Sequence, residues 1–266
     1  MKMLVLSALV AAAPVWAEEI TADDLAARIG AASAQVLVLG EVHDNPDHHR
    51  NQAAAIVALR PKALVFEMLT PEQAARATPG LMRDSAALEQ ALGWEGWPDF
   101  AMYAPIFAAA PQARVYGAAL PRAEVRRAMT EPLAQVFPEA ARYGIDKPYP
   151  KKLQAELEAA AQADHCDALP PEMLPGMVAA QRLRDAAFAD ATLRALRETG
   201  GPVALITGSG HARTDRAVPA MIAHAAPEVS VLSIGQREPP VAEPQPFDLW
   251  IVAPAPERED PCKAFR

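Results

Sequence analysis

Val36-Leu37-Val38-Leu39-Gly40-Glu41-Val42-His43-Asp44-Asn45-Pro46-Asp47-His48-His49 is the stretch that decides the fold. Four consecutive apolar residues read as a strand buried on both faces, the habit of parallel sheets. Asn45 and Pro46 then open a helix. The Asn side chain can cap free backbone N–H groups, and proline at the first helical position sacrifices no bond. The helix is expected to reach about Leu59, with Ile56 and Leu59 facing inward. The same buried-strand pattern recurs at Ala63–Phe66, Arg114–Gly117, Val203–Ile206 and Val229–Leu232, with a late or edge strand at Leu249–Val252. Strands alternating with helices predict an α/β fold: an open, mostly parallel sheet with flanking helices.

Between about residues 121 and 199 no strand pattern is found, and prolines such as Pro132, Pro138, Pro148 and Pro170 separate helical stretches. The longest of these starts near Met173 or Pro175 and runs to about Arg197. This segment is expected to be a helical insertion that forms a lid or side layer over the strand ends. The domain reading is a leader over 1–17, one α/β domain over 18–238, and a Pro-rich C-terminal tail over 239–266. Apolar residues make up 51% of the 266, enough for a real core. The 33 acidic residues exceed the 25 basic ones, which argues against nucleic acid or an anionic membrane as main partner.

The N-terminus suggests an address. Lys2 precedes the apolar run Met3–Val15, and Val15-Trp16-Ala17 resembles a signal-peptidase site before Glu18. The run is shorter than the roughly 20 residues a membrane span needs, and nothing later is long and apolar enough. A periplasmic protein is expected, released by cleavage and not lipid-anchored, since no Cys follows the cleavage site. Cys166 and Cys262 can pair in that oxidising compartment, although sequence alone leaves free thiols open.

Chemistry concentrates at strand ends, where open α/β sheets bind ligands. Gly40-Glu41-Val42-His43 and Gly208-Ser209-Gly210-His211 are two GxxH motifs, each directly after a buried strand. Gly208 and Gly210 are expected to allow positive φ and close backbone approach. Glu67 ends another such strand, where a carboxylate has to be solvated, paired or bound. Glu41, His43, Glu67 and His211 are therefore the candidate catalytic set, with His43 and His211 as candidate ligands for a divalent metal. The field of the helix N-terminus tends to keep His48 and His49 neutral. Gln181 and Asp185, four apart on one helix face, are expected to support the pocket. Tyr103, near Trp94, Trp97 and Phe100, belongs either to the core or to a flat apolar ligand site.

GEVHDNPDHH, FEM, AQRLRD and GSGHAR, in this order over roughly residues 33–235, resemble the ChaN-like haem-binding uptake proteins of the Tiki and erythromycin-esterase-like superfamily. The resemblance implies an α/β fold with a helical insertion, noncovalent haem, and a periplasmic or outer-membrane-associated role in haem or iron uptake. It implies Glu41, His43, Glu67 and His211 as the shared pocket, and gives His48, His49, Gln181 and Asp185 as further motif positions. It also implies a tyrosine ligand to haem, with Tyr103 the first candidate and Tyr149 the second.

Two readings follow. The leading one is haem binding, with a face shared across a homodimer offsetting an aromatic content of only 6%. The alternative is a metal- or acid/base-dependent hydrolase, an esterase or peptidase, built on the paired GxxH motifs with Glu41 and Glu67.

Overall fold

A computed structural model of the chain describes residues 17–260 and 262–263. The leader assigned to 1–17 lies, but for Ala17, outside these residues. Seven strands form one sheet, β1 (Glu18–Glu19), β2 (Val36–Glu41), β3 (Ala63–Phe66), β4 (Arg114–Gly117), β5 (Val203–Gly208), β6 (Val231–Arg237) and β7 (Leu249–Val252). All neighbouring pairs are parallel, in the order β1-β7-β6-β2-β5-β3-β4. The helices α1 (Leu25–Ala32), α2 (Pro46–Leu59), α3 (Pro71–Ala74), α4 (Ser85–Leu92) and α5 (Phe100–Ala109) come before β4 or earlier strands. The strand-free stretch holds α6 (Arg122–Ala128), α7 (Leu133–Val136), α8 (Lys151–Asp164) and α9 (Leu174–Thr199), and α10 (Val218–Ala225) follows β5.

Alternation along each strand divides the core. Leu37, Leu39, Leu64, Phe66 and Ile206 pack on one face with α1, α2 and α5, while Val36, Val38, Val65 and Leu205 face α9 and α10. Phe66 stacks on Phe107 of α5 with centroids 4.3 Å apart. The α2 cap forms as the sequence implies: Asn45 is extended, and its Oδ1 accepts from Asp47 N (3.0 Å) and His48 N (3.4 Å).

Two strands differ from expectation. β6 begins inside the apolar run Val229–Leu232, at Val231, and continues beyond it through Ser233, Gly235 and Gln236. Those polar groups are satisfied inside the fold: the Ser233 hydroxyl donates to the Ala212 carbonyl, and Gln236 Nε2 donates to the carbonyls of Gly40 (2.8 Å) and His48 (3.0 Å). Buried polar groups with partners do not interrupt a strand, so apolar patterning undercounts it. The two-residue β1 was not expected either; it pairs with β7, which lies inside the Pro-rich segment and holds that segment in the sheet.

Cys166, just after α8, and Cys262 form a disulfide across 96 residues of sequence, and the described residues include no free cysteine. Closing so long a loop reduces the entropy of the unfolded chain, worth about 4–5 kcal/mol in the chain-entropy model. Replacing both cysteines by serine is expected to lower unfolding free energy by about 2–4 kcal/mol, measured in urea as a lower midpoint with a steeper slope, since the uncrosslinked unfolded chain exposes more surface.

Candidate functional site

Strand order creates the site. β5 lies between β2 and β3, and the β2–β5 register sets Gly40 opposite Thr207 and Glu41 opposite Gly208. Glu67 leaves β3 beside them, its N–H donating to the Ile206 carbonyl. The two GxxH motifs and Glu67 thus reach the same carboxyl edge on three adjacent strands. The glycines permit this contact. A Cβ on Gly40 would lie 2.8 Å from Ser209 Oγ and 2.9 Å from its Cα, and one on Gly208 would lie 3.2 Å from His43 Nε2. The expectation of positive φ at Gly208 and Gly210 is not met, since neither adopts it. Gly208 is needed for close approach alone, and Gly210 has open space around it.

Glu41 is the most enclosed charge. Its Oε1 accepts from the Tyr103 hydroxyl at 2.6 Å and lies 2.7 Å from His43 Nδ1, while its Oε2 accepts from Gln52 Nε2 at 2.8 Å. His49 Nδ1 lies 3.5 Å from the same Oε2, and its Nε2 meets the His43 carbonyl at 2.8 Å. His43 Nε2 in turn lies 3.3 Å from Glu67 Oε1. Glu67 Oε2 accepts from the Thr207 hydroxyl and from Gly208 N, and is 3.9 Å from His211 Nε2. His211 Nδ1 is 2.6 Å from buried Asp185, and Gln181 Nε2 lies 3.0 Å from His211 Nε2. Two imidazole–carboxylate pairs therefore flank one central carboxylate.

Burial alone would push both imidazoles toward neutrality. At His43 the bond to Glu41 and the charges of Glu67, Glu41 and Asp44 outweigh it, and at His211 the Asp185 and Glu67 carboxylates do, so both titrate above their ordinary value. Burial raises Asp185 in spite of His211. Burial, then the charge of Glu41, drives the Tyr103 phenol far above its usual range.

The fold thus brings Glu41, His43, Glu67, His211, Gln181 and Asp185 together, with His49 behind them. It places His48 elsewhere: Nδ1 accepts from Val42 N at 2.9 Å, bracing the turn, and the ring is wholly buried. Tyr103 is also wholly buried, between His49 and Trp94, with its hydroxyl committed to Glu41, so iron would have to displace that bond. The aromatic segment divides: Trp94, Phe100 and Tyr103 pack with the core, while Trp97 packs edge-on against His43 and faces solvent. No group of three or more metal-donor side chains among the described residues has the arrangement of a metal site, so the pairing of His43 and His211 on a divalent ion has no support here.

Gln52, Thr207 and the anchoring of the tail beside the site were missed by sequence reasoning. Gln52 is a polar residue one turn after His49 on an otherwise inward face, and Thr207 is the polar residue ending an apolar strand; both patterns were visible. No local signal marks Arg258, which binds Asp44 (2.7 Å) and Glu238 (2.6 Å) and so ties the tail to the turn carrying His43.

Above this edge lies an open cleft of about 630 Å³ whose floor includes Glu67 and His211 and whose walls include Trp97, Leu120, Val125, Arg122, Arg126 and Arg184. On the far side of Gln181 and Arg184, Tyr149 lines three adjoining surface clefts of about 250, 450 and 330 Å³.

A parallel α/β sheet with ligand-type side chains at its carboxyl edge and an inserted helical layer defines a class, which sequence comparison identifies. The profile of a family described as haem-binding uptake, Tiki superfamily, ChaN matches residues 29–222, well over half of the chain. The chain belongs to this ChaN-like haem-binding family. A solved structure titled as cofacial heme binding to ChaN of Campylobacter jejuni is similar at TM-score 0.62 and 20% identity, covering 83% of this chain and 87% of that one. The type III effector HopBA1 is similar at TM-score 0.46 and 15% identity, over 88% of this chain and 93% of that one. No curated protein sequence matches. The likeness to ChaN bears out the α/β fold with its parallel sheet and flanking helices.

Two outcomes are expected. Tyr103→Phe leaves a buried carboxylate short of one donor and is expected to lower stability by about 1–3 kcal/mol in urea unfolding. Burial holds His48 down from its ordinary 6.5 to about 4. Between these values the unfolded chain binds a proton that the folded chain does not, so His48 makes stability fall as pH falls through the window. His48→Gln is expected to give a shallower decline than the parent between pH 6.5 and 4, read from thermal melts.

Proposed function

We propose that this chain binds haem noncovalently on the face around Tyr149 and serves haem or iron uptake in the periplasm. The observation that carries the ligand assignment is how the four tyrosines are committed. The hydroxyls of Tyr103, Tyr116 and Tyr143 donate to Glu41, Glu198 and Asp190. A neighbouring carboxylate opposes the phenolate that ferric iron needs. Tyr149 has the Arg182 guanidinium 4.0 Å from its ring centroid, nearer than Arg114 to Tyr116 (4.8 Å) or Arg142 to Tyr143 (5.3 Å). Burial, with the charge of Asp185, raises the Tyr149 phenol, while Arg182 and Arg216 oppose that rise.

The surroundings fit a flat, anionic porphyrin. Leu157, Met177 and Val178 supply apolar contact, and Arg182, Arg213 and Arg216 supply cations for carboxylate side arms. When bound, haem would supply an iron centre whose properties follow from its axial ligand. The family supports this reading, and the relative's cofacial haem supports a second copy presenting the same face, as a homodimer. The leader-like Met3–Val15 and the Cys166–Cys262 disulfide support an oxidising compartment. No helix among the described residues is long and apolar enough to cross a membrane.

Haemin titration of residues 18–266, followed by the Soret band, tests the assignment. Saturable binding is expected, with Tyr149→Phe shifting the band and weakening affinity by about tenfold or more, the worth of one strong interaction. Tyr103→Phe is expected to leave the spectrum unchanged. Light scattering with and without haemin tests the dimer. A spectrum that changes with Tyr103→Phe and not with Tyr149→Phe would overturn the ligand assignment.

A further inference from the structure

Tyr149 directly precedes Pro150, the N-cap of α8, and Cys166 lies just past the other end of that helix. At 14 residues α8 is roughly 21 Å long, so the iron ligand and the disulfide sit at its two ends. Its own packing holds α8 weakly. None of its residues is buried; Leu153, Leu157 and Ala161 form a half-buried stripe, and α8 packs on α9. Leu157 and Ala161 share the 250 Å³ cleft with Tyr149 and with Met177 and Val178 of α9. The Gln154 amide donates to Glu158 and the Gln162 amide to the Leu169 carbonyl, so these bonds stay within the helix and the turn after it. A helix of this length without a buried face is marginal in water.

The turn after α8 supplies what packing does not. The N–H groups of Cys166 and Asp167 donate to the carbonyls of Ala163 (3.0 Å) and Gln162 (2.9 Å), which makes the turn part of the helix end. Both residues take the left-handed backbone, at φ 58° and 57°, a conformation that side chains other than glycine keep only where the surroundings impose it. The disulfide to Cys262 imposes it from outside the helix. Cys262 is itself on a short leash. Ala253 N donates to the Arg237 carbonyl at the end of β7, and Arg258 pairs with Asp44 and Glu238. From Arg258 to Cys262 the chain can span at most about 14 Å.

We propose that α8 is a lid on the Tyr149 cleft, latched by the Cys166–Cys262 disulfide, and that a dithiol reductant unlatches it to release haem. The cargo, haem, rests on the function proposed for this face. Both cysteines are half-buried, which leaves the bond within a reductant's reach. A thiolate of the dithiol attacks one sulfur and forms a mixed disulfide, while the other cysteine leaves as a thiolate. The second thiol of the reductant then attacks its own bound sulfur and frees the remaining cysteine. Two electrons pass to the protein, two protons end on Cys166 and Cys262, and the dithiol becomes a disulfide. With the latch gone α8 keeps only its half-buried stripe. The apolar wall of the cleft and the hinge that carries Tyr149 loosen together.

The test compares the mature chain, residues 18–266, oxidised and after reduction by dithiothreitol that is then removed without air. Hydrogen exchange of the apo protein reads the lid without haem. Reduction, and Cys166→Ser with Cys262→Ser, are expected to speed exchange of the α8 amides roughly tenfold or more, with β2 and β5 still protected. Arg258→Gln keeps the disulfide but lengthens the leash, and its α8 exchange is expected to fall between the two states; it also decides should the double variant fail to fold. Haemin transfer from the loaded chain to apomyoglobin reads release, and is expected to be about tenfold faster from the reduced chain and from the double serine variant. Equal α8 exchange in oxidised and reduced protein, or equal transfer from both, would overturn the proposal. Faster transfer from the reduced parent but not from the serine variant would do the same, since new thiols rather than an open lid would then account for it. An oxidised chain that binds no haemin would refute the function proposed for this face, while the exchange comparison still decides the lid.

Discussion

A carboxylate buried at the end of β2 sets the terms for what surrounds it. Glu41 is inaccessible to water, so its charge has to be met by the protein. Tyr103 from α5, Gln52 from α2 and His43 from the following turn all do so, with His49 close behind. One side chain thereby fixes α2 and α5 relative to the sheet. It also orients His43 toward Glu67, and through Glu67 the network reaches β3, β5 and, by way of His211 and Asp185, α9. Removing one partner from such a set leaves an uncompensated charge in low dielectric, which makes the network cooperative.

The two GxxH motifs have a packing reason as well as a chemical one. Parallel pairing of β2 with β5 sets the motifs side by side, and the Cβ atoms absent from Gly40 and Gly208 are the space in which Ser209 and His43 sit. Glycine there serves proximity, and it does so without a left-handed backbone. The tail adds a second brace from outside. Arg258 and Glu238 hold Asp44 and Asn45, at the start of α2, and the disulfide joins the same tail to the end of α8.

Two regions of opposite character result, separated by Gln181 and Arg184 on α9. On one side carboxylates and imidazoles converge under an open cleft; on the other a tyrosine lies among arginines.

Much of this was legible in the chain itself. Unbroken apolar runs marked β2, β3, β4, β5 and β7, because strands covered on both faces need no polar alternation, and Asn45-Pro46 marked the start of α2, because capping is a local interaction. Glu41, His43, Glu67 and His211 stood out as polar residues following apolar strands. The polar course of β6 and the two-residue β1 were not legible, because their bonds go to partners distant in sequence. Nor were the surroundings of Tyr103 and Tyr149 legible: an isolated tyrosine carries no sign of whether a carboxylate will accept from its hydroxyl or a guanidinium lie over its ring. The sequence by itself determined the α/β class and the residues with chemistry to offer. Only the tertiary structure, by inserting β5 between β2 and β3, decided which of them meet, because strand order is set by packing across the whole sheet and not by any local pattern.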